Sequence, residues 1–197
     1  MEPVRRVVGR ALPLGRADVD TDQIIPSHWL KRIERTGYAA GLFEAWRKDP
    51  SFVMNDARYK GASILLAGHN FGSGSSREHA AWSLLEAGFK AVIAPRFADI
   101  FKSNAPRNGL VPVELPEETV TKLLRAVEKD PQLAISIDVE RKMVLAPAAG
   151  VTEPFPLDDH AQHRLVNGLD EIALTLRHET DIAAYEARRP AWLPRVH

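Results

Sequence analysis

ASILLAGHNFGSGSSREHAAWSLLEAGFKAVIA, residues 62–94, holds a strand, a loop, a helix and a second strand in succession. Ala62–Ala67 is a compact apolar run of strand length, and Gly68–Ser75 is rich in Gly and Ser. Ser76–Ala87 sets Ala80, Ala81, Leu84 and Leu85 at helical spacing and closes at Gly88, which predicts a helix. Ala91–Ala94 then predicts a buried strand. Strand, helix and strand form a βαβ unit, which implies parallel strands and a right-handed crossover.

Downstream, Pro95–Asn108 predicts a short helix and turn, and Leu110–Leu115 a strand. Glu117–Lys129 is an amphipathic helix that stops before Pro131. Ala134–Val139 and Lys142–Ala146 alternate as a hairpin around Glu140 and Arg141. Asp158–Asn167 and Leu169–Ala187 predict terminal helices, after which Trp192 is expected to pack. Upstream, Val4–Val8 predicts a strand leading to a turn at Pro13-Leu14-Gly15. Asp18–Asp22 reads as an acidic loop, and Ser27–Trp46 as two short helices jointed at Thr36-Gly37. The expected class is α/β, in a single layered domain over residues 1–197.

The chain carries 26 Lys+Arg, 26 Asp+Glu and no Cys. Zero formal charge argues against a nucleic-acid partner, whose binding rests on excess Lys and Arg. Hydrophobic residues at 45% and charged residues at 26% exclude global disorder. The absence of Cys excludes a disulfide framework, a thiol nucleophile and thiolate metal ligands in this chain. No apolar run approaches the roughly 18 residues of a membrane span. No long apolar stretch follows Met1–Arg6, so the expected location is the cytoplasm.

Gly68–His79 carries the chemistry. It leaves a buried strand and enters a helix, whose first amides lack internal partners and attract anions. Gly72 and Gly74 allow close backbone approach, and Ser75 and Glu78 have the spacing of a capping box. Arg77 offers a planar fork suited to a carboxylate. The P-loop, the dinucleotide fingerprint and the nucleophile elbow all fail on spacing. A carboxylate site with a poised hydroxyl stands beside the plainer alternative, that Ser75 and Ser76 only cap the helix and Arg77 is a solvated surface residue. Asp18, Asp20 and Asp22 start like a calcium loop, but Gln23 and Trp29 stand where Gly and Glu are needed, so the expectation is a structural turn with Asp22 orienting an arginine near the site. Asp158, Asp159, His160 and His163 read as a helix start rather than a metal site.

Asn70–His79, together with Asp18–Pro26, Arg35–Tyr38, Phe97–Phe101 and Asn167–Leu176, resembles the swivel domain of the aconitase superfamily. Within it, the resemblance is closest to the small subunits of 3-isopropylmalate dehydratase, and it spans nearly the whole chain. Many such relatives carry Cys where Ser73 stands. The resemblance implies a layered β/β/α swivelling domain with a central βαβ unit and C-terminal helices. It also implies a hydro-lyase of leucine biosynthesis that converts 2- to 3-isopropylmalate by dehydration and rehydration. Activity would require a large subunit holding a [4Fe–4S] cluster through its own cysteines, with no cofactor or metal on this chain. Ser75 maps to the family's catalytic base. Arg77 and Ser76 would bind a substrate carboxylate, with Arg35 and Thr36 in the segment that reaches the substrate's variable group and Arg35 a candidate for a second carboxylate contact. Gly72, Gly74, Glu78, His79 and Asp22 would support the loop. Tyr38, Leu42 and Phe43 are candidates for an apolar wall against an isopropyl group, or for helix core.

Two other readings remain open. One is a sister hydro-lyase acting on homoaconitate, citraconate or another small 2-hydroxy diacid. The other is a non-catalytic module that binds a carboxylate and regulates a partner.

Overall fold

The computed structural model describes residues 1–34, 36–75, 77–190 and 192. Its elements are β1 (Arg6–Pro13), α1 (Thr21–Ile24), α2 (Glu44–Arg47), β2 (Ile64–Leu66), α3 (Glu78–Glu86), β3 (Ala91–Ala94), α4 (Asp99–Asn108), β4 (Val111–Glu114) and α5 (Glu117–Lys129). They continue as β5 (Ala134–Asp138), β6 (Met143–Ala146), β7 (Val151–Pro154), α6 (Asp159–Asn167), α7 (Glu171–Leu176) and α8 (Glu179–Ala187).

One mixed sheet has the order β4-β3-β2-β1-β5-β6-β7. β1 joins its two halves. Ala11–Pro13 pair in parallel with β2, whereas Arg6–Arg10 pair antiparallel with β5. Burial follows the pairing. β2 and β3 are buried at every position, as strands covered on both faces must be. β5 and β6 alternate between buried and less buried side chains, as strands with one wetter face do. Arg6, Val7 and Val8 alternate in the same way, and Ala11, Leu12 and Pro13 are all buried.

The βαβ unit forms as β2-α3-β3 with parallel pairing, and β3-α4-β4 repeats it. α5 lays Val120, Leu123 and Val127 on the core and packs against β1, β2 and β3. α3 packs against α4, and α4 against β4 and α6. The result is a mixed α/β fold with a curled sheet and C-terminal helices, consistent with the expected swivel architecture.

Several expectations are corrected. β1 runs on to Pro13, because its second half finds β2 as a partner. The acidic stretch is not wholly a loop, since Asp20 caps the turn of α1. Ser27–Trp46 forms 3-10 turns at Ser27–Lys31 and Tyr38–Gly41 and then α2, not two regular helices. Leu42 and Phe43 are fully buried and Tyr38 is 1% exposed. They are core, and Phe43 stacks on Trp46, so they give no open apolar wall. Trp192 does not pack but is 80% exposed. Among the described residues, no helix is long and apolar enough to cross a membrane.

Candidate active site

After β2 the chain is laced to the segment that follows β1. The Gly68 amide donates to the Arg16 carbonyl at 2.8 Å and the Asp18 amide to the His69 carbonyl at 2.8 Å. Asp18 and Asn70 both take left-handed backbone, with φ of 52° and 59°. Asn and Asp tolerate that conformation better than other residues with a Cβ. The Asn70 Nδ2 donates to Asp18 Oδ1 at 2.9 Å, joining the two bends.

Beyond that clasp the segments run in parallel, with a bridge between Asp20 and Ser73. The Gly72 amide donates to Val19 at 2.7 Å, and the Thr21 amide to Ser73 at 2.9 Å. Thr21, 2% exposed, turns its hydroxyl to donate to the Ser75 carbonyl at 3.0 Å. Asp22 then pairs with Arg77 through Oδ1 and Nη1. The guanidinium is largely covered and its carboxylate partner is exposed. Each contact spans more than 50 residues of sequence, so the loop's shape is set by tertiary partners, not by its own composition.

Phe71 is fully buried edge-on to Phe101 and Phe97. Gly72 follows at φ +81°, where a Cβ would lie 2.4 Å from Phe101 Cγ. Gly72→Ala is therefore expected to cost about 1–3 kcal/mol of stability from backbone strain and overpacking. An unchanged urea midpoint would show that the loop yields more readily than this packing allows. Gly74, at φ +87°, completes the turn before Ser75.

The structure places the predicted site residues unevenly. Ser75 is exposed on the surface of the laced loop, and Asp22 meets Arg77. Thr36 is exposed, and Ser76 and Arg35 lie outside the described residues. The expected capping box at Ser75 and Glu78 does not form. Arg77 stays extended, with φ −136° and ψ 114°, so α3 starts two residues later than expected. Arg77 itself is the N-cap, and its side chain makes no capping hydrogen bond. The capping box lies instead at Asp20 and Gln23, whose side chains each accept from the other's amide, at 2.7 Å and 3.0 Å. Thr21, Asp20, Asp18 and Asn70 hold the loop in shape, a part the sequence reading gave to none of them. The D-x-x-Q spacing at Asp20 was the one local signal available.

His79 sits in the first turn of α3 against Trp82 and Tyr38, with ring centroids 4.6 Å and 5.3 Å away. Burial lowers its pKa from the ordinary 6.5, and Arg77 adds to this against the pull of Glu78. The neutral ring is favoured in the folded chain, which then binds fewer protons than the unfolded one. The stability this contributes is complete above 6.5 and is lost as pH falls through the lowered value. An NMR titration is expected to find His79 below 6.5. A value at or above 6.5 would mean that the ring is solvated.

Among the described residues, no group of three or more His, Asp or Glu side chains converges to hold a metal. The chain has no Cys, so its donor set does not fit an iron–sulfur cluster.

The model of the aconitase C-terminal domain matches residues 1–118. That of the C-terminal domain of the 3-isopropylmalate dehydratase small subunit matches residues 171–196. The 3-isopropylmalate dehydratase small subunit of Rubrobacter xylanophilus is 57% identical over 196 residues, covering 100% of both chains. That of a Parafrankia species is 60% identical over 194 residues, covering 98% of each. This chain belongs to the family of 3-isopropylmalate dehydratase small subunits. A crystal structure of 3-isopropylmalate dehydratase from Methanocaldococcus jannaschii agrees, with a TM-score of 0.65 and 26% identity over 91% of this chain and 98% of that one. In this member of the family, the first matched segment holds β1–β4 with the laced loop, and the second spans α7 and α8.

Proposed function

We propose that this chain completes a 3-isopropylmalate dehydratase, a hydro-lyase of leucine biosynthesis, by supplying the base and a carboxylate clamp to a cluster-bearing large subunit. The observation that carries this reading is the double lacing of the signature loop. Thr21 holds the Ser75 backbone and Asp22 holds the Arg77 guanidinium, which leaves the Ser75 side chain on an exposed face.

Isomerisation of 2-isopropylmalate begins with loss of a proton from the CH2 beside a carboxylate, together with loss of the neighbouring hydroxyl. Water then returns with the opposite placement. A serine hydroxyl is a weak base in water. It becomes competent where a cation and oriented amides stabilise the alkoxide. Arg77 and the first amides of α3 are the local sources of that field. Ser75 Oγ takes the proton from the carbon and returns one in the rehydration. The Arg77 fork donates to a substrate carboxylate, which replaces part of its contact with Asp22. Ser76 adds a hydrogen bond, Arg35 is assigned a second carboxylate contact, and Thr36 belongs to the segment assigned to the substrate's variable group. A [4Fe–4S] cluster is assigned to the large subunit, because this chain has no thiolate to hold one. There it supplies Lewis-acid chemistry toward the departing hydroxyl. We read residues 1–197 as one swivel-type domain of a cytoplasmic heterodimer, with no nucleic-acid or membrane partner.

The test is anaerobic mixing of the purified chain with the cluster-bearing large subunit, followed by assay with 2-isopropylmalate. Turnover to 3-isopropylmalate is expected only when both chains are present, with kcat/KM at least about tenfold above that for homoaconitate or citraconate. Equal turnover by the large subunit alone, or a preference for another diacid, would overturn the assignment.

A further inference from the structure

Seven large hydrophobic side chains are exposed among the described residues: Val8, Ile33, Ile100, Ile172, Leu176, Tyr185 and Trp192. Four of them fall in the last stretch, from Ile172 to Trp192. This stretch is not a loose tail at its start. Asp170 caps α7 through the Ala173 amide at 2.8 Å and receives the N-terminal amine at 3.3 Å. The buried Arg164 donates to Glu171 at 2.7 Å. α7 is thereby tied to α6 and to the chain's beginning, with Ile172 and Leu176 one helical turn apart and both exposed. α8 follows with nine residues and none buried. A helix this short is marginal in water without a face to pack on.

We infer that α7 and α8 form the docking arm for the cluster-bearing large subunit, which meets it with an apolar segment flanked by Lys and Arg. The inference rests on the proposed function and deepens it by naming the surface. Three observations point to that partner. A groove of about 530 Å³ between α3 and α7 is lined both by Glu78, next to Arg77, and by Ile172. A protein that reaches Ser75 and Arg77 therefore arrives at the face that continues onto α7. In the groove Asp170 meets the N-terminal amine and Glu171 meets Arg164 and Arg107, so Glu78 and Glu86 are the carboxylates on offer to a basic rim on the partner. The model specific to the dehydratase small subunit, matching residues 171–196, covers this arm, whereas the aconitase C-terminal domain model ends at 118.

The test uses the full chain carrying Ile172→Lys and Leu176→Lys. Both positions are exposed, so its melting curve is expected to match that of the native chain. Affinity for the large subunit, measured anaerobically by titration calorimetry, is expected to fall at least about thirtyfold, as for loss of central apolar anchors. Native binding should weaken as salt rises. A large excess of large subunit should restore kcat, because the variant leaves the signature loop intact. Unchanged affinity, or a kcat that saturating partner does not restore, would overturn the docking assignment. So would loss of a homodimer of this chain with large-subunit binding intact, which would make the occupant a second copy. The two readings fail separately. Tight native binding without isopropylmalate turnover counts against the function alone, and normal turnover with an unaffected double variant counts against the arm alone.

Discussion

Ser75→Ala is expected to lower kcat of the reconstituted dehydratase by about 10²–10⁴-fold, the range for removal of a positioned base. The change removes one oxygen from an exposed side chain. The Thr21 hydroxyl still holds the residue-75 carbonyl, and Asp22 still pairs with Arg77. Stability and affinity for the large subunit should therefore be unaffected. KM should change little, since the hydroxyl acts mainly in the transition state. Steady-state assay beside a urea melt separates this outcome from misfolding. A variant that keeps more than about a tenth of native kcat would remove Ser75 from the mechanism.

Arg77→Lys should cost about 10²-fold or more in kcat/KM, although formal charge is preserved. A guanidinium presents parallel N–H groups to a carboxylate, and an ammonium is a point charge on a flexible stem. Arg77 is also largely covered and pinned by Asp22, so its fork is set before substrate arrives. Lysine would reach either Asp22 or the substrate, without the fixed plane. The loss should appear mostly in KM if Arg77 grips the ground-state carboxylate, and in kcat as well if it also steadies the alkoxide. Asp22→Asn is expected to produce a smaller loss in the same direction. Native kcat/KM in Arg77→Lys would mean that the guanidinium plane recognises nothing.

The sequence made the central βαβ unit legible because its strands are continuously apolar and its loop is rich in Gly and Ser. Glu117–Lys129 was equally legible, since Val120, Leu123 and Val127 repeat at helical spacing and Pro116 and Pro131 bracket the run. β7 was not. Val151 is its one buried side chain, and a four-residue strand with one apolar anchor has no readable period. The change of partner along β1 was hidden as well, because pairing with β2 and with β5 spans dozens of intervening residues.

The candidate site divides in the same way. Local chemistry pointed to the Gly68–His79 loop and to Asp22 as a partner for an arginine, but left Ser75 open between a helix cap and a poised hydroxyl; its role as base came from the family resemblance. The lacing that positions these residues could not be read locally, because it joins Asp18–Asp22 to Asn70–Arg77 across more than 50 residues. The Ser75–Glu78 spacing misled for a related reason. The chain remains extended at Arg77 while Asp22 holds its guanidinium, and this delays the helix beyond the point where Ser75 could cap it.

Solvent deuterium incorporation tests most directly whether this chain provides the proton acceptor. The assembled complex is incubated with 2-isopropylmalate in D2O and stopped early, and the recovered substrate is examined by NMR at the CH2 next to its carboxylate. Native complex is expected to wash deuterium into that carbon. Ser75→Ala complex, saturated with substrate, should leave it protonated. Deuterium appearing at the native rate without the Ser75 hydroxyl would show that Ser75 is not the proton acceptor.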